Sequence, residues 1–180
     1  MNANLNLSPA SPTLHDVFVG MGSNIAPAEH LPKALRLLQE YVTVLGWSQT
    51  WETPPYGMTG GNFLNAVVHL HTGYAANTLK SLVLRRVEAI LGRVRATEKF
   101  IPRTIDLDIL VFDGQVIDAD IWEQAHWAVP LAELFPLLQS QPEGATLQET
   151  ARQLMAGVPE MKTRPGVLGR VHPATNLYGR

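Results

Sequence analysis

Residues 104–112, Thr104-Ile105-Asp106-Leu107-Asp108-Ile109-Leu110-Val111-Phe112, set two carboxylates inside an otherwise apolar run. The apolar and β-branched content favours a strand, and the turn pair Asp113-Gly114 ends it. Side chains alternate along a strand, so Asp106 and Asp108 share one face while Ile105, Leu107, Ile109 and Val111 fill the other. Two like charges on one face repel and lose hydration, so a cation is expected to compensate them. Cations stand just upstream: Arg85, Arg86, Arg93, Arg95, Lys99 and Arg103, opposed before Asp106 only by Glu88 and Glu98. Carboxylate oxygens suit Mg²⁺ bound with a phosphate, and arginines grip phosphates bidentately. The cluster therefore has the parts for phosphoryl-type transfer, which is mostly positioning and charge neutralisation. Surface ion pairs of the aspartates with Arg93 and Arg103 explain the same spacing without a ligand. On spacing alone that is the commoner arrangement.

Upstream, the periodicity switches repeatedly. Asp16–Met21 reads as a strand followed by the turn Gly22-Ser23-Asn24, and Gly20 and Gly22 read as turn formers. A helix runs to about Tyr41 on Leu31, Leu35 and Leu38, with Pro32 allowed only in its first turn. Thr43–Glu52 reads as one strand stopped at Thr53-Pro54-Pro55, and Phe63–Thr72 alternates as another. A helix from about Asn77 to Leu91 carries Leu79, Val83, Val87 and Ile90, with Asn77 as N-cap and Gly92 as stop. Helical patterns follow near Val129–Leu138 and Leu147–Ala156. The order β-α-β-β-α-β predicts an α+β, ferredoxin-like antiparallel sheet with additional C-terminal helices. Composition divides the chain into a loose leader (1–13), one domain (14–162), which holds the candidate catalytic residues, and a poorly ordered tail (163–180).

The 180 residues suffice for one core, with 46% apolar and only 17% charged residues. A net charge of −2 gives no global pull toward nucleic acid or anionic membrane. The absence of cysteine excludes disulfides, thiolate metal sites and thiol catalysis. No apolar run reaches membrane-spanning length, and the N-terminus lacks the features of a secretory signal. No G-x-x-x-x-G-K-[ST] motif exists, which excludes a P-loop kinase.

Thr53-Pro54-Pro55-Tyr56-Gly57 is a stiff loop whose carbonyls remain acceptors, suited to reading the edge of a heterocycle or simply to joining strands. Phe63 and Asn65 share a strand face and supply a ring to stack on and an amide. His69 and His71 also share a face. A solvated or partly covered strand explains them better than a metal pair, because no third ligand is suggested nearby. His15, His30 and His172 read as surface positions, Trp47 and Trp51 as packing residues.

In order, Gly22-Ser23-Asn24, Thr53-Pro54-Pro55, Phe63-Leu64-Asn65-Ala66, Glu88 with Gly92-Arg93, and the stretch from Pro102 to Ile109 resemble the 6-hydroxymethyl-7,8-dihydropterin pyrophosphokinase family. The resemblance runs from about Val17 to Phe112 and weakens afterwards, where Val129-Pro130-Leu131-Ala132-Glu133-Leu134 is similar. It implies transfer of a diphosphate from ATP to the hydroxymethyl group of a reduced pterin, with AMP released, in folate synthesis. It further implies two Mg²⁺ ions on Asp106 and Asp108, with Arg93 and Arg103 as catalytic partners. Glu88, Arg93, Arg95, Arg103 and Ile109 would bind ATP, and the loop 93–102 would close over it. Thr53, Pro54, Pro55, Tyr56 and Asn65 would contact the pterin, with Phe63 stacked on one face and His126 or Trp127 on the other. The segment 118–127 departs from the family pattern in having no arginine. A catalytically weakened relative is one alternative. An RNA-binding ferredoxin-like module is another, without the aromatic run such sheets carry. The expected protein is a cytoplasmic monomer, and removing Asp106 or Asp108 is expected to leave folding intact by relieving repulsion.

Overall fold

The computed structural model describes residues 13–55, 60–94, 101–139 and 144–169. Tyr56, Arg95, Lys99, most of the 93–102 loop, residues 1–12 of the leader and residues 170–180 of the tail lie outside the described residues.

The core strands are β1 (His15–Ser23), β2 (Thr43–Trp47), β3 (Trp51–Thr53), β4 (Phe63–Thr72) and β5 (Asp106–Phe112). The short strands β6 (Gln115–Val116) and β7 (Lys162–Thr163) extend the sheet to the order β6-β5-β1-β4-β3-β7, with β2 beside β4. Every pairing is antiparallel. Taking β2 and β3 as one interrupted strand, the core order is fourth-first-third-second, the split arrangement expected of a ferredoxin-like α+β fold.

The interruption has a local cause. The Ser48 N–H donates to the Val67 carbonyl and Ser48 Oγ accepts from the Val67 N–H, both at 2.9 Å. A side chain thus stands in for a backbone acceptor, and the single strand expected over Thr43–Glu52 becomes two. Hydroxyl groups compete with the backbone in this way, and no hydrophobic periodicity reports it.

Helix α1 (Pro27–Tyr41) starts earlier than expected, so Pro32 lies in its second turn rather than its first. Its missing N–H costs only the bond to Ala28, close to the helix start. Ala76–Thr78, Leu79–Leu84 and Arg85–Ile90 run on as one helix, α2, whose middle segment is π-helical. Its N-cap is Ala75, without a side-chain bond, and the expected cap Asn77 lies inside it. Its end is as expected: Gly92 adopts φ +75°, its N–H bonds Ala89, and the Arg93 N–H bonds back to Glu88. This Schellman arrangement aims Arg93 back over the helix.

Both helices cover one sheet face. Leu31, Leu35 and Leu38 of α1 and Leu79, Val83 and Val87 of α2 pack on Val17, Val19, Met21, Val68, Leu107 and Ile109. The opposite face is covered at one end only. There α3 (Ala125–Ala132) and α4 (Leu147–Ala156) pack Ala128, Leu131 and Leu147 with Phe135 against Phe18 and Val67. α3 begins before the expected Val129 and ends at Ala132. Thr163 does not open a loose tail: it pairs with Trp51 in β7, Arg164 bonds Glu52, and Leu168 joins the core. Among the described residues no helix is long and apolar enough to cross a membrane.

Gly20 lies within β1, inside the expected strand bounds, and Gly22 also lies within β1 rather than in the turn after it. A Cβ on Gly20 would meet the six-membered ring of Trp127 at 2.7–3.0 Å. Gly20→Ala is therefore expected to cost about 1–3 kcal/mol by overpacking. Gly73→Ala, where nothing lies within 4 Å, should change little. Urea unfolding of both variants, and of Gly20→Ala combined with Trp127→Leu, checks this; the double variant should cost less than the sum of its parts.

Candidate active site

The uncovered end of the second sheet face forms an open cleft of about 340 Å³. Strand alternation builds its floor. Gly22 pairs with Asn65 on one side and Asp106 on the other, and Gly20 pairs with Asp108. Those side chains all leave the face opposite to the helix layer. Trp127 lies over the two glycines, and Phe63 and Asn65 border Gly22. Thr53 and Pro54 enter from β3 and its exit. Asn65 Nδ2 donates to Thr53 Oγ1 at 2.9 Å, with both residues buried. That bond leaves the amide oxygen of Asn65 as an acceptor toward Gly22.

Asp106 is the electrostatic centre. Arg93 Nη1 and Arg103 Nη1 each pair with one of its carboxylate oxygens. Burial opposes its ionisation, yet the two guanidinium groups outweigh that and hold its carboxyl below the usual range. Arg93 also donates to the Ile105 carbonyl at 2.9 Å and to Glu88 at 3.3 Å. Glu88, almost wholly buried, accepts from the Leu107 N–H at 2.9 Å. Arg103 is fixed by its backbone: its N–H donates to Asn24 Oδ1 at 2.7 Å, and its carbonyl accepts from the N–H groups of Asn24 and Ile25. The turn Gly22-Ser23-Asn24 thus holds the arginine in place. Asp108 pairs instead with Lys80 of α2, whose Nζ lies 2.6 Å from both Asp108 Oδ1 and the Leu107 carbonyl. The ion-pair reading and the site reading of the aspartates coincide at Asp106, whose expected partners Arg93 and Arg103 both pair with it while Asp106, Asp108 and Arg103 line the cleft.

The other wall comes from the segment without arginine. Asp118, Asp120, Gln124, His126 and Trp127 all line the cleft. Desolvation raises the Asp118 carboxyl, and Asp120 and Asp108 add to the effect. Burial pushes the His126 imidazole down to about 4, with only weak opposition from Asp120. His126 is thus neutral near pH 7.

Of the expected site residues, Thr53, Pro54, Phe63, Asn65, Arg103, Asp106, Asp108, His126 and Trp127 meet around this cleft. Glu88 and Arg93 stand behind Asp106 rather than on the cleft wall. Pro55 is half-buried beside Pro54. The Ile109 side chain is buried in the helix-packed core, so only its backbone can face a ligand. Sequence reading assigned no site role to Lys80, Asp118, Asp120 or Gln124, and it named Asn24 only as part of a turn, without its bond to Arg103. Only the acids carried a signal, as the excess of Asp over 118–120.

An acidic pair braced by two arginines at Asp106 and a lysine at Asp108, on the open face of a ferredoxin-like sheet, is a charge arrangement suited to an enzyme of the phosphate-transferring class. The family model described as 7,8-dihydro-6-hydroxymethylpterin-pyrophosphokinase matches residues 18–136. The chain belongs to that family. It is 32% identical over 130 residues to the 2-amino-4-hydroxy-6-hydroxymethyldihydropteridine pyrophosphokinase of Aquifex aeolicus, covering 70% of this chain and 80% of the relative. The enzyme of the same name from Bacillus subtilis is 33% identical over 167 residues, covering 86% and 95%. Among solved structures, Plasmodium falciparum HPPK-DHPS A437G with pteroate superposes with a TM-score of 0.66 at 12% identity. That match covers 88% of this chain, and this chain spans 46% of the Plasmodium one.

The two aspartates should separate in stability. Asp106→Asn leaves Arg103 without its carboxylate partner and Arg93 with Glu88 alone, and is expected to cost about 1–3 kcal/mol. Asp108→Asn, at a more exposed position facing Lys80, should stay within about 1 kcal/mol. This corrects the expectation that losing either carboxylate merely relieves repulsion. Denaturant midpoints of both variants test it. A second expectation concerns pH. The unfolded chain protonates His126 near the ordinary 6.5, and the folded one only near 4. Stability contributed by neutral His126 is therefore full above 6.5 and falls as pH drops from 6.5 toward 4. Melting temperature between pH 7 and pH 4 should drop less steeply in His126→Gln.

Proposed function

We propose that this chain transfers a diphosphate from ATP to the hydroxymethyl group of 6-hydroxymethyl-7,8-dihydropterin, giving AMP and the pterin diphosphate. The observation that carries this reading is the joining of a flat, amide-edged slot to a braced acidic pair in one cleft. Trp127 and Phe63 offer aromatic walls, and Asn65, Thr53 and the carbonyls around Pro54 offer donors and acceptors to the heterocycle's edge. His126 borders the same slot as a neutral ring.

Asp106 and Asp108 present hard oxygen donors side by side, a donor set that fits Mg²⁺ delivered with a nucleotide. Bound there as a pair, the ions would neutralise the triphosphate oxygens and hold them in line. Asp106 and Asp108 would hold the ions. Arg103 would turn from Asp106 toward the transferred phosphates, with Arg93 and Arg95 adding charge. Glu88 keeps Arg93 and the Leu107 backbone in register. The hydroxymethyl oxygen attacks the β-phosphorus, and the bond from that phosphorus to the α,β-bridging oxygen breaks. AMP leaves with that oxygen, and the hydroxyl proton passes to a cleft carboxylate or to solvent. We read the enzyme as a cytoplasmic monomer of folate synthesis.

A weakened relative is the second reading, favoured by Asp118 and Asp120, which add negative charge beside the phosphate path. A coupled assay of AMP release with ATP, Mg²⁺ and the reduced pterin decides between them. Robust release that needs all three components is expected, and Arg103→Ala should lower turnover at least tenfold. Pterin binding without AMP release would favour the weakened relative.

A further inference from the structure

We infer that Asp16, His69 and His71 form a second metal site, specific for a transition-metal dication such as Zn²⁺ or Co²⁺. It lies at the end of the sheet remote from the cleft. Asp16 is six residues along β1 from Gly22, about 20 Å at strand rise.

Strand pairing creates the cluster. His69 and His71 leave β4 on the same face, and Asp16 of β1 lies directly opposite His71 in the antiparallel register. The candidate donor atoms of the three side chains all lie within 4.8 Å of one another. His69 Nε2 contacts Asp16 Oδ1, and His71 Nε2 lies 3.2 Å from the same oxygen. In a tetrahedral zinc site with bonds near 2.0–2.1 Å, neighbouring donors are separated by about 3.3 Å. The His71–Asp16 spacing already matches. The His69–Asp16 contact needs to open by less than an ångström to admit an ion.

The surroundings suit a metal better than a simple ion pair. His69 is only 1% exposed and its ring stacks on Phe18, centroids 4.4 Å apart and 4° from parallel, so its direction is fixed. Asp16 is anchored through its own N–H, which donates to Asp113 Oδ1 at 2.9 Å. His71 is about one-third exposed and gives the ion both an entry path and room for a fourth ligand from water. Two imidazoles and one carboxylate favour zinc, cobalt, nickel or copper over Mg²⁺. His69 Nδ1 has no hydrogen-bond partner among the described residues. The site thus lacks an outer acceptor on its most buried ligand, and its affinity should be below that of a dedicated zinc centre. A bound ion would clip β1 to β4, the strands that carry Gly22 and Asn65. The partly covered strand face expected from the sequence is what the pair occupies, with His69 buried and His71 about one-third exposed. The expectation that no third ligand lies nearby is corrected by Asp16 across the strand pair.

The test uses the full chain, stripped with chelator and free of ATP. Titration with Co²⁺ is followed by visible absorption and by melting temperature. One equivalent should bind, with the bands of a nitrogen- and oxygen-ligated low-coordinate ion and a rise in melting temperature. Zn²⁺ should displace it, and millimolar Mg²⁺ should not. His71→Gln, at a partly exposed position, and Asp16→Asn should each weaken Co²⁺ binding at least tenfold. Asp108→Asn should leave it unchanged, which separates this site from the cleft. Absence of stoichiometric Co²⁺ binding, equal binding in His71→Gln, or loss of binding in Asp108→Asn would each overturn the proposal.

Discussion

A carboxylate held between two guanidinium groups organises this molecule. Asp106 sits at the start of β5, where the helix layer, the sheet and the cleft meet. Its partners arrive by different routes. The glycine-ended C-terminus of α2 delivers Arg93, and backbone bonds to the Gly22-Ser23-Asn24 turn fix Arg103. Burial disfavours the charged form of Asp106, and the two guanidinium groups more than offset that cost, while the carboxylate in turn compensates the partly buried arginines. Glu88 closes the network by tying Arg93 and the Leu107 N–H together. Charge neutralisation in the resting protein therefore uses the groups that the proposed reaction needs, so the site is assembled before substrate arrives.

The second constraint is space. Glycine at positions 20 and 22 removes side chains from the open sheet face, and Trp127 fills the first gap and borders the second. α3 can then approach the sheet at one end while the other end stays open. The same alternation that sends Met21 and Leu107 into the helix-packed core sends Asn65, Asp106 and Asp108 into the cleft. One strand register thus sets both the stability of one face and the chemistry of the other.

Strand and helix periodicity carried the fold. Phe63–Thr72 matches β4 along its whole length, and the Asp113-Gly114 turn follows β5 as its residue types demand. Ser48 was illegible because a hydroxyl replacing a backbone acceptor leaves no periodic trace. Gly22 was misread because a glycine making room for side chains across a sheet face looks, in sequence, like a glycine making a turn. In the cleft, residues close in sequence were readable, such as Asp106 with Asp108. Lys80 reaches Asp108 only through the packing of α2 on β5, a contact between residues 28 apart in the chain. Asp16 escaped for the same reason, since its neighbours at His69 and His71 are set by strand register.

The central claim is that this braced acidic cleft moves a diphosphate rather than a single phosphate. The most direct measurement follows the label from ATP carrying ³²P at its β-phosphorus, with the reduced pterin and Mg²⁺ present. The account predicts that the label appears in the pterin product while the nucleotide product is unlabelled AMP. Label retained in ADP would contradict it.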